Sequence, residues 1–545
     1  MAKNFQRNKP PICLIRLPSL TTLKDVGQDA TPPIGLAYLA SSLNAAGHKV
    51  IGIDGVGDAI FQYTSVSNHK TAILHGLTLD QIINRIPKNT EIIGISCMFS
   101  SQWTFINKIF KQIRKQYPKA LIILGGEHAN ACPEYVLKNT DEIDLCVMGE
   151  GEDTINEVID AHYARKGFMQ IDGLAFRNGE RITRTNPRRR IRDINSIPEP
   201  NWDIFPIEQY IDNAFTFGTN HGRSMPVLAS RGCPYACTFC SSEQMWTRKW
   251  IARDPALLLN EMKRYMMKYN VTNFDFYDLT AIVDRDWIIN FCKLIIKEEL
   301  NITWQLPSGT RSEAIDEEVV KLLYVSGCRN MNYAPESGSI PELKRIKKLV
   351  NLDNMVKSMK SANKIGLEVK CNFIFGMPQS DWTDVINTMK FIIRLGFIGC
   401  QDISAFPYSA YPGTEMFDRL VKEGKIQMGN DYLIGLAGFT DIGEGKSFND
   451  NFSSKMLGII CFSAMVLFYS VSWITHPKRI FEFFLNILKK DTSSRLTYAL
   501  SNVKRKSTLS KKLSRDGEKT ATIDPSFKPK EVKHLSSENN SFSIN

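Results

Sequence analysis

Cysteine is too sparse in this chain, 12 among 545 residues, to build a disulfide scaffold, and Met1–Pro11, ahead of the first strand, is polar and basic with none of the apolar core expected of a secretory leader. Both shortages imply a reducing cytoplasm, where closely spaced cysteines serve as metal ligands rather than bridges. The body also lacks a charge excess. Of the formal +11, an excess of seven falls after residue 488, where 13 Lys and Arg face 6 Asp and Glu, leaving +4 for everything before it. The basic character therefore belongs to a tail, and it carries no nucleic-acid signal for the folded part. A hydrophobic share of 43% with 23% charged residues excludes a largely disordered or multispan chain, and 545 residues exceed what one core holds.

Strand and helix patterns alternate along the first 165 residues. The apolar strands Pro11–Leu17, His48–Asp54, Ile92–Cys97, Leu121–Gly126 and Leu145–Gly149 are separated by helical spacing such as Pro33–Ala46 and Phe105–Gln116. Continuous apolar strands between helices make a doubly wound parallel sheet, whose ligands bind beyond the strand carboxyl ends. Residues 166–220, with a hairpin at Gly173–Gly179 and a basic run at Arg188–Arg192, are expected to be a surface connector. A second alternation over 221–430 has six strand–helix units, the pattern of a partial (β/α)6 barrel. Residues 431–490 are expected to be a helical region and a candidate for membrane association, because Met456–Thr475 is uncharged for 20 residues, about a bilayer's length. A single span would export the basic tail, against the tendency of positive charge to stay inside, which favours a buried or surface-lying helix. The Ser/Lys-rich 491–545 reads as a basic disordered tail.

The chemistry concentrates in Arg231-Gly-Cys233-Pro-Tyr-Ala-Cys237-Thr-Phe-Cys240. Three thiolates within eight residues on a loop after a strand can hold a soft metal or an iron–sulfur cluster. A structural zinc wants four protein ligands, and the next cysteine, Cys292, sits inside a helix pattern. Three ligands suit a 4Fe–4S cluster with one iron left open.

The spacing Cys-x3-Cys-x2-Cys, with Phe239 before the last cysteine, resembles the radical S-adenosylmethionine enzymes. Glu336-Ser337-Gly338, Phe373–Pro378 and Tyr411-Pro-Gly-Thr414 are similar to the core of that family. In the first 165 residues Thr31-Pro-Pro-Ile-Gly35, Gly47-His48, Gly125-Gly126-Glu-His128 and Gly149-Glu150-Gly151-Glu152 resemble its cobalamin-binding subgroup. The resemblance covers about residues 10–425 in the family's order.

It implies that Cys233, Cys237 and Cys240 hold the cluster, that S-adenosylmethionine binds its open iron, and that a 5′-deoxyadenosyl radical is made there. Tyr235, Phe239, Arg311, Glu336, Ser337 and Gly338 are then expected around cluster and S-adenosylmethionine. Ser96, Gly125, Gly126, Gly149, Glu150 and Gly151 are expected around cobalamin, where glycine permits close backbone approach to a ligand. The loop Pro18–Gly27 contains no histidine, so cobalt would receive none from it. His128 is expected on the nucleotide-tail side or the surface, and Asp278 is a candidate substrate contact.

The implied activity is methylation of an unactivated carbon through methylcobalamin, on a small molecule or lipid. The implied reductant is a flavodoxin or ferredoxin, and contact with a membrane surface would run through 456–490. Radical oxidation or ring closure is the alternative on the same scaffold. A methylthiotransferase, with Cys13, Cys97, Cys132 and Cys146 as a second cluster, and a non-catalytic cofactor sensor remain further readings.

Overall fold

Apolar residues on successive positions of one strand must be covered on both faces, and the first sheet shows how. Ile12 and Leu14 of β1 (Ile12–Arg16) bury into one core layer, Cys13 and Ile15 into the other. In the computed structural model, which describes residues 10–25, 30–66, 69–215, 217–219, 221–437, 446–489, 495–513 and 519–523, β1 lies between β2 (Val50–Asp54) and β3 (Ile92–Ser96). The sheet continues through β4 (Leu121–Gly125) and β5 (Leu145–Val147). The parallel order 2-1-3-4-5 reverses at the β1/β3 pair, so the ligand crevice of such a sheet opens beyond Arg16 and Ser96.

The hairpin β6 (Leu174–Asn178) and β7 (Arg181–Arg184) pairs antiparallel on β5 and completes this sheet at seven strands. It was expected in a surface connector. Leu174, Ala175 and Phe176 are buried, and their apolar side chains complete the sheet edge.

The second sheet has six parallel strands in chain order: β8 (Ser224–Val227), β9 (Asn273–Phe276), β10 (Thr303–Thr310), β11 (Cys328–Glu336), β12 (Glu368–Phe375) and β13 (Asp402–Pro407). Its concave side carries polar residues that need partners. The end of the supposed connector supplies them. The Phe217 amide donates to Asp275 Oδ2 at 3.1 Å, the Thr219 amide to Gln305 Oε1 at 3.0 Å, and Gln305 Nε2 returns a bond to the Thr219 carbonyl at 2.8 Å. That segment is therefore a plug bonded to the barrel's inward side chains, with Thr219 buried and Gly218 left at the surface.

Six helices matter below: α1 (Ile34–Ala45), α2 (Gly151–Tyr163), α3 (Trp382–Ile398), α4 (Ser454–Thr475), α5 (Lys478–Leu488) and α6 (Arg495–Leu513). Helix α4 lies along α3 and β13, closing the barrel's open side. The expected disordered tail contains α6 and the strand Thr520–Thr522, which joins a small antiparallel sheet with Gln62–Val66, His69–His75 and Ser19–Thr22. Leu509 and Leu513, four residues apart, pack with Tyr63 and Ile73, and Lys506 donates to Thr21 Oγ1 at 3.1 Å and the Thr22 carbonyl at 3.0 Å. Two well-spaced leucines anchor a segment whose overall composition reads as solvated. Residues 490–494, 514–518 and 524–545 of that tail lie outside the described residues.

Candidate active site

The three cysteines sit on a loop at the carboxyl end of the barrel, tied down at both ends. Arg231 closes a two-residue strand paired with Ile251–Ala252. Gly232 follows at φ +90°, and a Cβ there would stand 2.1 Å from the Lys249 carbonyl oxygen, so only glycine fits. Beyond it the Cys240 amide donates to the Cys237 carbonyl at 3.1 Å, the Thr238 amide to Ile346 at 3.1 Å, and the Met416 amide to Thr238 at 2.9 Å. The loop is thereby stitched to the segment after β11 and to the one after β13.

Cys233 and Cys237 are half-buried and Cys240 is exposed. Desolvation raises the half-buried Cys237 thiol, while Lys348 pulls it down. Among the described residues no three Cys, His, Asp or Glu groups converge on one ion-sized point. A cubane cluster takes one thiolate per iron, so its ligands stand wider apart than those of a single ion, and this soft, all-sulfur donor set fits a cluster rather than zinc.

Around the loop, the Arg311 guanidinium lies 3.7 Å from the Tyr235 ring centroid and bonds Glu313 at 3.1 and 3.2 Å. Its Nη1, with Thr310 Oγ1 and Ser312 Oγ beside it in sequence, is buried without a partner. Deeper in the barrel Asn332 Oδ1 and Ser404 Oγ are also unpartnered. Buried orphan donors and acceptors at strand ends suit a polar ligand such as S-adenosylmethionine. Glu336, at φ +66°, ends β11 and pairs with Lys348 at 3.0 Å; burial raises its carboxyl despite that cation. Lys348 also lies 5.9 Å from the Phe239 ring centroid.

Ser337 and Gly338 are turned elsewhere. The Ser337 hydroxyl lies 3.0 Å from Thr388 Oγ1, and a Cβ on Gly338 would meet Phe391 Cβ at 2.5 Å, so both serve the packing of α3. Asp278, expected to face substrate, accepts from the Ala229 amide at 3.1 Å and from Ser230, and so fixes the strand leading to the cysteine loop.

On the first sheet, a Cβ at Gly125 would meet nothing, which leaves open space at the end of β4, and Ser96 lies beside it at the end of β3. Asn130 Nδ2 is buried without a partner nearby in sequence. Such a cradle fits a large cofactor. Gly126 and Gly151 have internal reasons: a Cβ at Gly126 (φ +96°) would stand 2.6 Å from the Cys97 carbonyl oxygen, and one at Gly151 3.0 Å from Leu39 of α1. Gly149, at φ +75°, turns β5 into α2. His128 is neither surface nor lining. It is fully buried, 2.9 Å from Ser100 Oγ and with its ring tilted against Trp103 at 4.9 Å, and desolvation pushes it down to about 3, hence neutral. Cys13, Cys97, Cys132 and Cys146 are buried, with burial pushing Cys13 and Cys132 up to about 12 and the other two higher, against a thiolate role.

Glu150 is also spent on structure. Its carboxylate accepts from Arg190 Nε at 2.9 Å, the Ile191 amide at 2.7 Å and Arg231 Nη1 at 3.3 Å, while Glu152 takes Arg231 Nη2 at 2.6 Å. All four side chains are at most 8% exposed. Tyr38 and Trp246 cover Arg231, with ring centroids at 5.0 and 5.8 Å. This clamp fastens the end of the first sheet to the residue two before Cys233. Sequence reasoning missed it, along with Lys348; the visible signal was the basic run containing Arg190, which looks like a solvated face until its acidic partners are known.

A B12 binding domain family model matches residues 21–159, and a Radical SAM superfamily model matches residues 227–392. An uncharacterized methyltransferase of Pyrococcus horikoshii is 29% identical over 410 residues, covering 75% of this chain and 82% of that one. The cytidylyl-2-hydroxyethylphosphonate methyltransferase of Streptomyces wedmorensis is 26% identical over 445 residues, with the same coverages of 75% and 82%. The anaerobic magnesium-protoporphyrin IX monomethyl ester cyclase of Cereibacter sphaeroides is 25% identical over 395 residues, covering 71% of this chain and 60% of that one. Among solved structures, the cobalamin-dependent S-adenosylmethionine radical enzyme OxsB, with aqua-cobalamin and S-adenosylmethionine bound, superposes with TM-score 0.64 at 15% identity over 93% of this chain and 80% of that one.

Proposed function

This chain belongs to the radical S-adenosylmethionine enzymes that carry an N-terminal cobalamin-binding domain, and from that membership we propose that it methylates an unactivated carbon of a small molecule or lipid. The observation that carries the reading is one of placement. The cysteine loop leaves the barrel at its carboxyl end and is clamped by Arg231 to the carboxyl end of a sheet of cobalamin-binding type. When bound, the 4Fe–4S cluster, S-adenosylmethionine and cobalamin supply a substrate radical and a transferable methyl group.

The chain's own residues do the rest. Cys233, Cys237 and Cys240 would hold the cluster, with Phe239 and Tyr235 excluding water from its faces. The unpartnered Arg311 Nη1 would take the carboxylate of S-adenosylmethionine, for which guanidinium geometry is suited. Glu336, held by Lys348, would offer its carboxylate to the ammonium group of S-adenosylmethionine. Ser96 and Gly125 would line the corrin cradle, with Gly149 setting its rim. The electron comes from a one-electron donor such as flavodoxin or ferredoxin, in the cytoplasm.

A second reading, radical oxidation or ring closure, is favoured by the cyclase relative. Anaerobic reconstitution with hydroxocobalamin tests both: about four irons and one cobalt per chain are expected. Iron without cobalt removes the methyltransferase reading. With labelled S-adenosylmethionine, label in the product supports methylation, and release of 5′-deoxyadenosine with an unlabelled, oxidised product supports the second reading.

A further inference from the structure

Helix α4 is the one helix among the described residues long and apolar enough to cross a membrane, yet its inner face is committed to the barrel. Leu457, Cys461, Ala464 and Phe468 are buried, and the Tyr469 hydroxyl donates to Asp402 Oδ1 at 2.6 Å. A Cβ on Gly396 of α3 would meet Val471 at 2.9 Å. Arg479 locks the following turn by donating to Ser472 Oγ and the Cys400 carbonyl, each at 2.8 Å, and to the Gly399 carbonyl at 2.7 Å. A helix bonded side-on to the barrel in this way does not span a bilayer.

Its outer side is different. Ile459, Phe462 and Val466 form an exposed apolar stripe, and Phe462 and Val466 border a groove of about 500 Å³ against Met389 of α3. Helix α5 has no fully buried side chain, and Phe481, Phe484, Leu485 and Leu488, spaced i, i+3, i+4 and i+7, stand 72, 57, 49 and 79% exposed. An apolar face this continuous marks an interaction surface. The local charge says of what kind. From 454 to 490 five Lys and Arg face Glu482 alone, an excess of four, of which Arg479 is spent on the barrel carbonyls. Phe and Leu along one face, with exposed Lys478 and Lys489 at its two ends, suit a helix lying in the headgroup region of an anionic membrane.

The geometry points to peripheral docking of this enzyme on an anionic lipid surface, with α5 lying in the interface and α4 tethering it to the barrel. This goes beyond the proposed chemistry and does not depend on it. Docking here would set the barrel beside a bilayer.

The full-length chain should co-sediment with vesicles of phosphatidylcholine containing about a quarter phosphatidylglycerol roughly tenfold better than with phosphatidylcholine alone. The triple variant Phe481→Ser/Phe484→Ser/Leu488→Ser should lose about tenfold of that binding with an unchanged melting temperature, since these side chains are exposed. The inference is overturned if the chain stays in the supernatant with anionic vesicles. It is equally overturned if the triple variant binds as well as the parent, which would assign the attraction to the basic tail alone. A dimer that the triple variant converts to monomer would show that a second copy covers the face, and would also overturn it.

Discussion

Removing the Arg231 guanidinium, as Arg231→Met, should destabilise the chain by about 3–4 kcal/mol, because it leaves Glu152 buried opposite no cation. Arg231 is 6% exposed and Glu152 8%, so water screens neither, and covering by Tyr38 and Trp246 adds a cation–π share of about 1 kcal/mol. Glu152→Gln should cost less, about 2 kcal/mol, since Arg231 keeps Glu150 at 3.3 Å. The pair Arg231→Met/Glu152→Leu replaces both charges by apolar groups of similar length. It should cost at least about 2 kcal/mol less than the sum of Arg231→Met and Glu152→Leu measured singly. Urea unfolding followed by tryptophan fluorescence measures all four variants. Costs that add within about 0.5 kcal/mol, or an Arg231→Met cost under about 1 kcal/mol, would refute a coupled buried clamp. Repeating the series in high salt is a second check, because a buried network is screened far less than a surface pair. Gly232 and Cys233 follow Arg231 directly, so Arg231→Met should also lower iron uptake on reconstitution, whereas Arg188→Met, at a surface pair with Glu157, should not.

Alanine at Cys233, Cys237 or Cys240 should reduce iron from about four per chain to near zero and abolish S-adenosylmethionine cleavage; surviving cleavage in any variant would remove that cysteine from the ligand set. Gly125→Leu should block cobalt uptake without lowering the melting temperature, because a Cβ there meets nothing, while Gly126→Ala should cost about 2 kcal/mol through its φ of +96° and the Cys97 carbonyl 2.6 Å away; equal melting temperatures for both would contradict this. His128 is held neutral, with its folded-state value pushed down from 6.5 to about 3. Its contribution is present above pH 6.5 and is lost as pH falls, by about 2 kcal/mol between pH 6.5 and 5. In His128→Gln that part of the acid sensitivity should vanish, and an unchanged pH–stability slope would refute it.

The two sheets were legible because their signals are local. Runs such as Leu121–Gly126 are apolar at every position, which only a strand covered on both faces tolerates, and the cysteine spacing lies within eight residues. What escaped was assigned by partners far away in the chain. Glu150 lies in a glycine-rich turn that looks made for a ligand, but its carboxylate is taken by Arg190 and Arg231, 40 and 81 residues on. Ser337 follows the β11 end in a motif that suggests a cofactor contact, yet its hydroxyl belongs to Thr388. The plug at Phe217–Thr219 is invisible without the inward-facing Asp275 and Gln305 that demand its backbone. The tail failed in the opposite direction, since Leu509 and Leu513 suffice to dock α6 where composition argues for disorder.

The clamp's chemistry bears on how two cofactor sites can work as one. An apolar interface tolerates sliding, because hydrophobic burial is non-directional. A buried Glu–Arg network is directional and costly to break, so it fixes one register even where a hydrophobic pair of the same volume would be as stable. Here the fixed point is the residue two before the first cysteine, on one side, and the turn leaving β5, on the other. The Asp278 bonds to Ala229 and Ser230 hold the same strand from the barrel side. Three carboxylates, Glu150 and Glu152 at the start of α2 and Asp278 beyond β9, therefore determine where the loop starts. Transfer between a radical site and a methyl-bearing cofactor depends on separation at the ångström level. The charge at this junction is consistent with that demand, whereas a stabilising role alone would have been met by leucines.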